Sequence, residues 1–141
     1  MDKVKVSDKL LLSVEKPARY TGGELNSIVK ETARLRFALC FPDVYEIGMS
    51  HLGSRILYEV INSREEYACE RCFAPWPDME KAMRENNVPM FTLETRTPLA
   101  ECDIVGFSLL YEMCYTNILT MLDLAHIHKR SADRGENEPI I

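Results

Sequence analysis

Residues 35 to 60 constrain the fold more than any other stretch. Leu35-Arg36-Phe37-Ala38-Leu39-Cys40-Phe41 is short, mostly apolar and broken by Pro42-Asp43. A continuous apolar run bounded by a breaker suits a strand covered on both faces. Residues 42–51 form a loop with Ser50 placed to cap a following helix. Leu52, Ile56 and Val60 then recur at intervals of four, on one face of an amphipathic helix. In an open parallel sheet, the loop leaving such a strand lies at the carboxyl edge, where ligands bind.

The remaining segments extend that sheet. Residues 8–14 read as a short helix ending near Pro17, Gly22-Gly23 as a turn, and residues 26–30 as a strand. Residues 66–73 alternate as a further strand, and Ala74-Pro75-Trp76-Pro77 is a stiff connection. Residues 78–86 read as a helix with Met79, Ala82 and Met83 inward and Asp78 and Glu80 near its start. Residues 89–93 and 103–109 read as strands. Residues 113–125 read as a helix striped by Tyr115, Ile118, Leu119, Leu122 and Ala125, followed by a polar loop over 126–137. Residues 138–141 look like the first residues of another strand that stops abruptly, as in a chain trimmed from something longer. The alternation predicts an α/β fold with a mostly parallel sheet. It divides into an N-terminal arm, 1–34, and an α/β domain, 35–141.

Length and charge bound the function. At 141 residues one domain is expected, and a net charge of −5 argues against a nucleic-acid partner. No run approaches the ~18 apolar residues of a membrane span. The start lacks the apolar core of a signal peptide, so a cytoplasmic protein with free thiols is expected. The five cysteines include Cys69-x-x-Cys72. Two thiols at that spacing can hold zinc or form a redox pair. In an extended segment they face opposite sides, and Cys40, Cys102 and Cys114 are scattered singly, so structural thiols are expected. No phosphate loop, dinucleotide glycine motif or nucleophile elbow is present. His126 and His128 sit in polar sequence, and no complete active site is legible.

Two constellations could carry chemistry. The first is the loop with Asp43, Tyr45, Glu46, Gly48, Ser50 and His51, where Gly48 allows close backbone approach. The second follows the strand at 103–109: Ser108 can offer a small hydroxyl to a ligand, with Leu110, Tyr111 and Glu112 just beyond. In both, the plainer alternative is local capping and backbone bonding.

Four phrases in order carry a resemblance: Pro17-Ala18-Arg19-Tyr20-Thr21-Gly22-Gly23-Glu24, Phe41-Pro42-Asp43-Val44-Tyr45-Glu46-Ile47-Gly48-Met49-Ser50, Glu70-Arg71-Cys72-Phe73-Ala74-Pro75-Trp76 and Asp103-Ile104-Val105-Gly106-Phe107-Ser108-Leu109. Together the chain resembles the N-terminal part of cobalamin-binding-type radical S-adenosylmethionine (radical SAM) proteins. The resemblance implies a flavodoxin-like (Rossmann-like) three-layer sandwich whose C-terminal part is cut off. It also implies a downstream radical SAM domain as partner, holding a 4Fe-4S cluster and S-adenosylmethionine. The cluster motif is absent here: Glu65 stands four residues before Cys69. The fragment alone is therefore expected to bind no cluster, and the parent chain to be the enzyme. Cobalamin is the implied cofactor, without a loop histidine, because Met49 breaks the Asp-x-His-x-x-Gly pattern of such domains. The Ser-x-Leu element is matched by Ser108, Leu109 and Leu110, the serine lying beside the cofactor's nucleotide tail. Tyr45, Glu46, Gly48, Met49, Ser50, Ser108, Leu110, Tyr111 and Glu112 are the expected contacts. The alternative is a degenerate docking module that binds no cofactor. A flavin module would need a phosphate-cradling loop rich in small hydroxyls, and a receiver would need an aspartate where Thr92-Leu93-Glu94-Thr95 has none.

Overall fold

Three parallel strands form the centre of the computed structural model, which describes residues 3–141. They are β1 (Leu35–Phe41), β2 (Tyr67–Phe73) and β3 (Ile104–Phe107), in the order β2-β1-β3. β1 pairs with β2 from Leu35 opposite Tyr67 to Phe41 opposite Phe73. It pairs with β3 from Phe37 opposite Ile104 to Cys40 opposite Phe107. The helices are α1 (Asp8–Leu11), α2 (Tyr45–Ser50), α3 (Leu52–Asn62), α4 (Pro77–Asn86) and α5 (Tyr115–Leu124). None of the described helices is long and apolar enough to cross a membrane.

Strand alternation divides the core in two. Ala38, Cys40, Cys72 and Val105 face α4 and α5, where Met79, Met83 and Met121 are wholly buried. Phe37, Leu39 and Cys69 face α3 through Tyr58 and Ile61. Helices on both faces of a parallel sheet make the α/β fold that the segment order predicts, and a small flavodoxin-like one as the resemblance implies. The N-terminal arm belongs to the larger cluster, through Val4, Val6, Leu10, Val14 and Tyr20.

Several segments differ from the sequence expectation. Residues 42–51 are not simply a loop: they contain α2, and Ser50 is its last residue rather than the cap of α3. The Ser50 hydroxyl donates back to the Glu46 and Ile47 carbonyls, both at 2.9 Å. His51 caps α3 instead, its Nδ1 accepting the Ser54 N–H at 3.1 Å. The apolar stripe of α3 faces outward, with Leu52 65%, Ile56 53% and Val60 59% exposed. Inward lie Ser54, Tyr58 and Asn62. Polar partners decide this orientation: the Ile28 N–H donates to Tyr58 Oη at 2.7 Å, and Asn62 bonds both peptide groups of Cys69 at 3.0 Å. α5 likewise starts at Tyr115 after a 3-10 turn, and Tyr115 and Leu119 of the expected stripe are exposed.

Residues 26–30 and 89–93 form no strand. The former follow a turn closed by Ser27 N–H on the Glu24 carbonyl at 2.9 Å. In the latter, a single antiparallel bridge joins Phe91 to Pro98, and the chain curls between them. Glu70 is the reason. Its carboxylate is buried and paired with Arg36, and it takes hydrogen bonds from the Thr92 and Thr95 hydroxyls. Such a charge demands partners, and residues 92–97 fold over β2 to supply them. Residues 138–141 contribute one parallel bridge, Ile140 to Ile104.

The outer edge of β2 is closed by side chains. Lys30 Nζ donates to the Tyr67 carbonyl at 2.6 Å, and the Asn62 amide takes both peptide groups of Cys69. Glu94 accepts the Arg71 N–H at 2.7 Å, and the Leu93 N–H donates to the Arg71 carbonyl at 2.9 Å.

Candidate functional site

The exits of β1 and β3 lie side by side on one rim of the sheet, because the strands are parallel neighbours. The Ser108 N–H still donates to the Cys40 carbonyl at 3.0 Å, so the ladder continues to the point where the chain leaves. Beyond it the exits are tied together. Tyr111 Oη donates to Asp43 Oδ2 at 2.5 Å, and Asn117 Nδ2 to the Pro42 carbonyl at 2.9 Å. The hydrogen bond to Asp43 holds the Tyr111 hydroxyl well above its usual pKa. The Ser108 hydroxyl is half-buried and has no hydrogen-bond partner among the described residues. Leu109, Leu110, Met113 and Tyr115, which follow it along the chain, are exposed.

The residues named from the sequence fall into two groups. Ser108, Leu110, Tyr111 and Glu112 stand on the β3 side of the rim. Those of the first loop turn toward the N-terminal arm, because 45–50 is helical. Exposed Glu46 pairs with Arg19 at 3.0 Å and Lys16 at 3.4 Å, and these bonds lower its pKa. Tyr45 donates to Glu24 Oε1 at 3.1 Å and packs edge-on against Phe73. Gly48 lies beneath Phe73: a β-carbon there would sit 2.2 Å from the ring. Close approach is thus its role, the neighbour being a side chain of β2. Met49 Sδ lies 3.4 Å from Arg71 Nη1, and Ser50 is exposed and bonded within α2. The structure brings Gly48 and Met49 together, Tyr45 next to them, and the β3-exit residues elsewhere; of these site residues named from the sequence, Tyr111 crosses to the first loop.

Gly48 and Met49 border a groove of about 500 Å³ between α3 and residues 24–26. Its floor holds residues the sequence did not single out. Arg71, 12% exposed in its side chain, pairs with buried Glu94 at 2.7 Å and with Glu24 at 3.3 Å, and its guanidinium lies 4.5 Å from the Tyr58 ring centre. Burial raises the pKa of Glu94 despite the opposing pull of Arg71. One signal for this cluster existed: period two puts Arg71 on the same face as Cys69, and a charge on a covered face requires an acid from elsewhere. Its acids are 47 and 23 residues away.

Cys69 and Cys72 lie in different cores, on opposite faces of β2. All five cysteines are free and buried, and the described residues contain no cluster of metal-ligating side chains.

Residues 53–141 match the family model described as radical SAM proteins, N-terminal. No curated protein and no solved structure matches the chain.

Proposed function

Because the chain belongs to the family of N-terminal regions of radical SAM proteins, we propose that it serves as the cap of a radical site, placing a corrinoid over it at the β1–β3 rim. One observation supports this reading: the two exits share a rim on which Ser108, its hydroxyl without a hydrogen-bond partner among the described residues, is followed along the chain by exposed Leu109, Leu110 and Met113. A flat, largely apolar group with polar edges suits such a rim. Ser108 would meet the cofactor's nucleotide tail, and Leu110, Tyr111 and Glu112 its edge.

The residues of the rim would contact the edge of a corrinoid, and His51 is given no role in holding it. The His51 imidazole caps α3 through Nδ1 and leans on Phe41 with ring centres 5.3 Å apart. When bound, a corrinoid supplies the cobalt chemistry; this chain contributes binding and orientation. Tyr111 would have to leave Asp43 for a ligand to enter between the exits. The downstream radical SAM domain of the parent chain is the proposed partner, and the exposed apolar side chains of the rim would be covered by it.

The same tie between Tyr111 and Asp43 favours a second reading, a docking module with no cofactor. Titration of the full-length parent protein with hydroxocobalamin separates the two. The cofactor reading expects a saturable spectral change, weakened at least tenfold by Ser108→Leu. No spectral change and no co-purified corrinoid would reject it and leave docking.

A further inference from the structure

The groove between α3 and the arm is not used by the rim, and it has the features of a small-molecule site. Its volume of about 500 Å³ lies within the range of known ligand clefts, roughly 300–1,000 Å³. Leu39, Phe41 and Phe73 line its inner side, and the outward stripe Leu52, Ile56 and Val60 lines its rim. That stripe spans about 12 Å, eight residues of helical rise. We propose that the groove binds an elongated apolar molecule ending in a neutral carbonyl oxygen, of the amide class.

The end group follows from an account of Arg71. Nε donates to Glu94 Oε1 at 2.7 Å, and Nη2 donates to Glu24 at 3.3 Å and Ser27 Oγ at 3.0 Å. Among the described residues, Nη1 has only the Met49 thioether sulfur, at 3.4 Å. Sulfur is a weak acceptor, so an oxygen reaching Nη1 would gain a full hydrogen bond. Charge then selects the kind of oxygen. Glu94 and Glu24 already place two carboxylates against one guanidinium. A third carboxylate would add like charge in a poorly solvated place, and a cationic head would meet Arg71 itself. A neutral carbonyl avoids both. The apolar body would lie along α3, covering side chains that water now contacts.

The test uses Nile red, a neutral apolar dye with a carbonyl acceptor, added to the 141-residue protein. Saturable emission is expected, with octanamide displacing the dye at least tenfold more effectively than octanoate or octylamine. Ile56→Glu changes an exposed wall position, so it should weaken dye binding at least tenfold while leaving the melting temperature nearly unchanged. Arg71→Lys keeps the charge and removes the second donor arm; in protein shown folded by circular dichroism, it should erase the preference for the amide. Leu110→Glu on the rim should leave the dye signal intact. Absence of saturable emission, indifference to Ile56→Glu, octanoate matching octanamide, or loss of the signal in Leu110→Glu would each overturn the assignment. Hydroxocobalamin binding at the rim is independent of all four.

Discussion

Gly22 and Gly23 form a matched pair for testing how the N-terminal arm is held. Both have positive φ, +67° and +80°. A β-carbon on Gly23 would meet nothing within 4 Å; on Gly22 it would lie 2.4 Å from the Leu93 carbonyl oxygen. That oxygen cannot simply retreat, because the Leu93 N–H is bonded to the Arg71 carbonyl at 2.9 Å on the edge of β2. Gly23→Ala therefore bears only the left-handed backbone cost, about 1 kcal/mol. Gly22→Ala adds an overpacking cost of about 1–3 kcal/mol, for a total of about 2–4 kcal/mol. In a domain of this size each kcal/mol lowers the melting temperature by roughly 3–5 °C. Urea unfolding of both variants, compared at unchanged slope, measures the difference. If the arm undocks rather than strains, the excess loss will appear as faster proteolysis of residues 17–30. Equal costs at the two positions, with equal proteolysis, would refute the claim that Gly22 packs against a fixed carbonyl.

Two further outcomes follow from the buried groups. Removing one partner of the Arg36–Glu70 pair, as in Glu70→Ala, should cost about 3–5 kcal/mol. Arg36→Met with Glu70→Leu should cost much less, which a double-mutant cycle in urea would show. The five cysteines should be unreactive to a thiol-disulfide reagent at pH 8 in the folded protein, and all five should react in denaturant. Burial pushes the Cys69 and Cys102 thiols up to about 12 from 9.0. Their folded values are raised, so their contribution to stability is intact below pH 9 and is lost as pH rises toward 12. Midpoints of urea unfolding from pH 7 to 11 check this sign.

The elements legible in the sequence are those whose reason is local. β1 and β3 are mostly apolar runs, β2 alternates along its length, and α4 shows Met79, Ala82 and Met83 at helical spacing. Where the reason is distant, pattern failed. α3 carries its apolar stripe outward because Tyr58 and Asn62 find partners at Ile28 and Cys69. Residues 89–93 have strand composition, but Glu70 draws Thr92 and Thr95 into a loop. The site divides the same way. Ser108 was legible as the small residue ending a strand. The Arg71 cluster was not, because Glu24, Arg71 and Glu94 share no motif and meet only through the fold. Tyr111 was named, but its partner Asp43 lies 68 residues earlier and no pattern links them.

With Lys30, Asn62, Glu94 and Leu93 occupying the outer side of β2, that side offers little template for another chain. The sheet can lengthen in one direction only, from β3, where Ile140 has already taken the first rung. Any added strand, whether from this polypeptide or another, must therefore arrive beside the β3 exit and Ser108. Growth of the sheet and access to the rim are governed by the same margin.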